Sequence, residues 1–232
     1  MNTAFAPTEA LDRASQPLGQ IAVALPGATA IFRRLKLDFC CGGQIALQQA
    51  CDNKGLVVDE VLAELARLDR PETPVVPQAP AELIEHILGR FHAVHREQLP
   101  ELIRMARRVE AVHREHPDVP KGLADHLEAV WAEMEAHMGK EESILFPMLL
   151  AGVRGVVVHP IGVMREEHTN HGEQLERLMA LTTDATPPAG ACNTWRALYA
   201  GIAQFADDLI AHIHLENNQL FPQFEPVRSG CC

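Results

Sequence analysis

The sequence predicts an all-α protein, a four-helix bundle preceded by a small helical N-terminal domain. Three observations predict it. Apolar residues recur at alternating steps of three and four along four long segments, which is the stripe of helices packed in a bundle. Aromatic residues make up 5% of the chain while Ala, Leu and Glu abound, favouring helix over sheet. A third sign is a phrase used twice, His137-x3-Glu141-x3-Leu145-Phe146-Pro147 and His212-x3-Glu216-x3-Leu220-Phe221-Pro222. Its period of about 75 residues is too long for a solenoid and suits a duplicated helical hairpin.

Residues 1–16 are small and polar and are expected to lack order. Pro26-Gly27 interrupts the apolar run Ile21 to Leu25, and a short helix over 28–37 is expected to bury Ile31, Phe32 and Leu35. Asp38-Phe39-Cys40-Cys41-Gly42-Gly43 reads as a turn into a second helix over 44–54, and Asp59 as the N-cap of a third over 60–68. Pro71, Pro74, Pro77 and Pro80 then make an extended spacer of roughly 30 Å. The predicted limits are a Cys-Cys-containing domain at 1–70, a proline-rich linker at 71–80, the bundle at 81–226 and a tail at 227–232.

Cys40 and Cys41 stand near a helix N-terminus, a position that lowers a thiol pKa and favours a thiolate suited to iron binding or sulfur redox chemistry, although free Cys more often serves as a small buried residue. A pair of small buried residues in a tight turn is the alternative. Cys51 and Cys192 suggest no role, and Cys231-Cys232 reads as a solvated end.

The first bundle helix, 81–113, carries Leu88, His92, His95, Leu99, Leu102, Ala106 and Val109 on its stripe. The second, entered at Pro120, carries Leu123, Leu127, Val130, Met134, His137, Glu141, Ile144 and Met148. The third follows Pro160 with Ile161, Met164, His168, His171, Leu175 and Leu178. After a polar loop over 182–193, the fourth carries Trp195, Leu198, Ile202, Phe205, Leu209, His212, Glu216 and Gln219.

A formal charge of −11 argues against a nucleic-acid surface. No apolar run approaches the roughly 20 residues that span a bilayer, and Met1 to Pro7 lacks the features of a signal peptide, so a cytoplasmic protein with reduced cysteines and no membrane partner is expected.

The chemistry follows from where the polar residues fall. On a helix, positions i and i+4 share a face, so each repeat presents an imidazole beside a carboxylate at a core position. An ionised Glu there costs several kcal/mol unless paired or metal-bound, and two Glu brought together also repel. A pair of cations relieves both penalties. Each repeat is preceded by an H-x2-H pair, His92 and His95 or His168 and His171, and spacing does not separate a metal ligand from its neighbour. Imidazole with carboxylate suits borderline ions such as iron better than calcium or magnesium; mononuclear zinc is the chemical rival, and a hydrogen-bonded core network the structural one. Glu133 and Glu167 are candidates to orient a ligand or line a channel, with a solvated helix face as the ordinary alternative.

These residues, with Asp38 to Gly43, Phe91-His92-Ala-Val-His95-Arg96-Glu-Gln-Leu-Pro100, Val119-Pro-Lys-Gly122 and Leu215-Glu-Asn-Asn218, resemble the iron–sulfur cluster repair di-iron proteins, also described as regulators of cell morphogenesis and NO signalling. The resemblance covers nearly the whole chain; Cys51 and Cys231-Cys232 depart from it and touch no ligand position. It implies a hemerythrin-like bundle holding two non-haem iron ions, oxo- or hydroxo-bridged, on His92, His137, Glu141, His168, His212 and Glu216. That set takes the first His of each pair and leaves His95 and His171 to supporting roles. It further implies repair of damaged iron–sulfur proteins, NO or O2 as small ligand, and redox or iron-transfer roles for Cys40 and Cys41. Catalysis stays open: NO reduction to N2O and a non-catalytic O2 or NO carrier or sensor are the alternatives, and the chain is expected as a monomer or a homodimer.

Overall fold

The computed structural model describes residues 13–25, 28–68 and 79–225, and among these every regular element is a helix. The helical class read from composition and periodicity is the one found. Pro26-Gly27, the prolines from Pro71 to Pro77, most of the N-terminal polar stretch and Cys231-Cys232 lie outside the described residues. The chain divides into two compact units, one of residues 1–77 with Ile213–Pro222, the other of residues 78–212 with the chain from Gln223 onward.

The first unit contains α1 (Leu18–Ala24), α2 (Ala28–Arg34), α3 (Leu47–Lys54) and α4 (Val58–Ala66). Leu18, Ile21, Phe32, Leu47 and Leu65 form its core. The run before Pro26 is itself a helix, because the turn that follows supplies partners for its first N–H groups: Leu18 donates to the Ile45 carbonyl at 3.0 Å and Gly19 to that of Gly43 at 2.8 Å. Ile45 is used in this way, and the Leu47 N–H donates to the Gln16 carbonyl at 2.9 Å, so α3 begins at Leu47 rather than Gln44. Helix α2 ends at Arg34, and Lys36 takes a left-handed backbone (φ 53°) that turns Leu37, not Leu35, into the core. Asp59 is not the cap of α4; Val57 is, and Asp59 sits in the first turn, where its charge still favours the helix dipole.

The second unit is the bundle: α5 (Pro80–Ile87), α6 (Ala93–Val112), α7 (Leu123–Lys140), α8 (Phe146–Leu150) and α9 (Val158–Leu181), with α10 (Asn193–Leu215) as its last helix up to His212. At the head of α10, Cys192 lies 3.2 Å from His113 Nε2, beside the buried Trp195.

Three joints between helices are π-helical turns: Leu88–His92, Glu141–Leu145 and Glu216–Leu220. A π-turn inserts one extra residue and moves everything beyond it by one register step. Past Glu141 the buried residues are therefore Leu145, Phe146 and Leu149, while Ile144, expected in the core, is 53% exposed and Met148 half-buried. Past Glu216 the core position passes from Gln219 to Leu220. Before His92 it lies at Ile84 and Ile87, leaving Leu88 half-buried. The repeat carries a cause. Pro147 and Pro222 follow two of these turns, and proline lacks an N–H and crowds the carbonyl four residues back. The first turn instead contains Gly89.

Candidate metal centre

Each π-turn carries one acidic or imidazole side chain inward: His92 ends the first, Glu141 starts the second and Glu216 starts the third. All three are fully buried, as are His168 on α9 and, within a few per cent, His137 on α7 and His212 on α10. Their ligand atoms fall into two clusters, His92, Glu141, His212 and Glu216 in one and His137, Glu141, His168 and Glu216 in the other, each with all atoms within 4.8 Å. Both glutamates belong to both clusters. Glu141 Oε2 lies 3.4 Å from His92 Nε2 and 3.4 Å from His137 Nε2. Across each cluster the imidazoles meet Nε2 to Nε2 at 3.2 Å, His92 with His212 and His137 with His168.

The protonation pattern follows from what stands behind the rings. His92 Nδ1 donates to Glu142 Oε1 at 2.8 Å, and His137 Nδ1 donates to Glu167 Oε2 at 2.9 Å. A carboxylate only accepts, so each Nδ1 carries a proton, and Nε2, which faces the centre, is the nitrogen left to bind a cation. Lone pairs and carboxylate oxygens converging in a dry interior form a cradle for cations. The residues present fit a pair of metal ions. Calcium and magnesium would call for oxygen donors throughout, whereas half or more of this donor set is imidazole.

The two backing carboxylates are themselves held. Arg96 grips Glu142 through both oxygens and Glu135 through its Nε at 3.0 Å. Burial works against the charged form of Glu142, but the hydrogen bonds from Arg96 and His92 outweigh it and keep its carboxyl below the usual range. Lys140 donates to the other oxygen of Glu167. Glu167 thus stands behind His137, a candidate ligand, as the sequence allowed. Glu133 does not: it is exposed and accepts from the Gln174 amide. Glu142, Arg96 and Lys140 escaped the sequence reading. A hint was present in the doubled Glu141-Glu142, since consecutive residues point about 100° apart on a helix and both are needed only if two directions are occupied.

His95 and His171 are buried beside the clusters and belong to neither. The His95 ring packs against Phe205 and His212, and burial, with the neighbouring His212, pushes its pKa down to about 3, so it stays neutral. The His171 ring stands edge-on to His137 at 4.9 Å.

Cys40 and Cys41 lie in the bend well before α3, out of reach of its dipole. Asp38 caps this bend, accepting from the backbone N–H of Cys40, Cys41 and Gly42 at 3.2, 2.9 and 2.8 Å. For Cys40 the expected thiolate is corrected here. The Cys40 Sγ–Cys41 Sγ hydrogen bond (3.8 Å), burial and the nearby Asp38 charge all push the Cys40 thiol up. The same bend is fastened to the third π-turn, because Asn217 donates to the Cys40 carbonyl at 3.2 Å and Asn218 to that of Phe39 at 3.4 Å.

Comparison with known proteins accords with this geometry. The model of the hemerythrin HHE cation binding domain matches residues 83–224, and a domain of unknown function, ScdA_N, matches residues 14–69. Proteins named iron-sulfur cluster repair protein YtfE are similar over most of their length. Those of Pectobacterium atrosepticum and Dickeya chrysanthemi are 50% identical over 216 and 211 residues, spanning 90% of this chain and 96% of theirs. That of Escherichia coli O1:K1 is 49% identical over 210 residues, with the same coverage. The chain belongs to the hemerythrin-like iron–sulfur cluster repair family. The resemblance read from the motifs is thereby borne out, and with it a helical, metal-binding bundle. Among the described residues no helix is long and apolar enough to cross a membrane.

Proposed function

We propose that this protein carries two iron ions on His92, His137, Glu141, His168, His212 and Glu216, both glutamates bridging, and gives up iron for the repair of damaged iron–sulfur proteins. The carrying observation is that two clusters share both of their carboxylates, which suits two adjacent cations better than one. The curated relatives are named for cluster repair, which supports the destination of the iron. Bound iron supplies Lewis acidity, one-electron chemistry and an exchangeable position for NO or O2. The chain's own residues do the rest. Glu142 and Glu167 hold Nδ1 protons so that Nε2 stays a donor. Phe91, stacked on His212 at 5.3 Å, and Phe146, against His92 at 5.8 Å, help keep water out. On this reading the protein works in the cytoplasm under nitrosative or oxidative stress. Cys40 and Cys41 form with Asp38 a second small donor group, which receives iron in transit as its thiols give up their protons to the metal bond.

The test begins with anaerobic reconstitution and an iron count. Two ferrous ions per chain are expected, falling below one in Glu141→Ala. The loaded protein is then mixed with an iron–sulfur enzyme damaged by NO. Recovery no greater than free ferrous iron gives would reject repair, and sustained N2O production with a reductant would make the protein an enzyme instead.

A further inference from the structure

The two clusters match in residue types and differ in what braces one imidazole of each, His92 and His137. Behind His92 stands a chain of charged groups crossing from α6 to α7. Glu142 accepts from His92 Nδ1, Arg96 Nη1 binds Glu142 Oε1 at 2.7 Å, its Nη2 binds Oε2 at 3.2 Å, and Glu135 takes the Arg96 Nε at 3.0 Å. The guanidinium fork thus fixes Glu142 in two directions and is itself fixed by a second carboxylate. Behind His137 the bracing is shorter: Glu167 accepts from Nδ1 and receives Lys140, which follows His137 on its own helix. An ammonium is a point charge on a flexible stem and does not set the plane of the carboxylate it meets. Glu142 and Glu167 are 32% and 24% exposed, so burial does not favour the first; the difference lies in geometry. A ligand imidazole held in plane by a fixed carboxylate stays in position for recapture when a metal bond breaks, and groups of this kind are worth about 10- to 100-fold in metal affinity.

We infer that the position framed by His92 and His212 retains its metal, and that the position framed by His137 and His168 is the one that gives it up, with Arg96 the positioning residue that sets the order. This inference rests on the proposed iron-carrying reading.

The experiment uses the full chain loaded anaerobically with ferrous iron and challenged with an excess of ferrozine, the released iron being followed by absorbance. Wild type is expected to release its iron in two phases of equal amplitude. Glu142→Gln and Arg96→Gln are expected to speed the slow phase roughly 10- to 100-fold and leave the fast one in place, while Glu167→Gln speeds the fast phase alone. Arg96→Lys, which keeps the charge and loses the fork, is expected to fall between, and it serves should the neutral variants fold poorly, as judged by melting of the metal-free protein. Two irons leaving in a single phase, or Glu142→Gln accelerating the fast phase, overturns the order while leaving the iron centre intact. Fewer than one iron per wild-type chain overturns the centre and the order together.

Discussion

Glu141 is a carboxylate with no exposed surface, 3.4 Å from the Nε2 atoms of two imidazoles. Without a cation that arrangement costs free energy; with one it is a binding site. Glu141→Gln is therefore expected to raise the melting temperature of the metal-free protein and to abolish metal uptake, read by a thermal melt and an iron count on one sample. A fall in the metal-free melting temperature would mean that the carboxylate is structural. Asp208 behaves in the opposite way. It is 3% exposed, and accepts from Arg90, from Gln98 at 3.0 Å and from Gln204 at 3.1 Å. Burial opposes its charge, yet the bonds from Arg90, Gln98 and Gln204 win and hold its carboxyl below the ordinary range. Because the folded value is depressed, its contribution is full above the ordinary Asp value of about 3.9 and fades as pH falls through the folded value. Asp208→Asn is expected to cost about 1–2 kcal/mol at neutral pH, discounted because the Arg90 side chain is 43% exposed, with the deficit shrinking toward pH 3. Denaturant melts across pH would show it; a deficit independent of pH would not fit.

At the scale of the helix, the π-turns decide where His92, Glu141 and Glu216 point. Restoring the N–H at Pro147→Ala lets the chain bond back to Ser143 and rewind to α geometry. The expected result is unchanged or slightly higher helical circular dichroism with at least tenfold weaker iron retention. Unchanged retention would assign the turn to core packing rather than to proline. These turns also mark the limit of what the sequence told. The stripes of α6 to α10 were legible because burial follows a simple period, and the six side chains that converge were named from them with the help of a family pattern. Ile144, Met148, Gln219 and Leu88 were misplaced because a constant period cannot register a single extra residue. The choice between His92 and His95 was illegible for a related reason: both are fully buried, and only the facing of the rings separates them. Glu142, Arg96 and Lys140 were missed because their partners lie on other helices or depend on a carboxylate no spacing rule connects to them.

Across the whole molecule, the two copies of the repeated motif are put to different uses. The residue after the buried glutamate is Glu142 in one copy, serving an imidazole, and Asn217 in the other, serving the Cys40 carbonyl. Ile213–Pro222 of that second copy belongs with the N-terminal unit, where Gly19 packs so closely that a Cβ would stand 2.5 Å from Asn218 Oδ1. Gly19→Val is accordingly expected to free the cysteine bend and speed limited proteolysis within residues 13–68; a wild-type cleavage pattern would show that Asn218 yields without loss. The three widened turns have a consequence for how such a bundle can open. Each is slack confined to one turn of a rod. Passing that slack one turn toward the N-terminus would swing Glu141 by about 100°, clear of the centre, while Leu145, Phe146 and Leu149 kept their seats. A side chain shared by both clusters would thereby move without any helix parting from its neighbour.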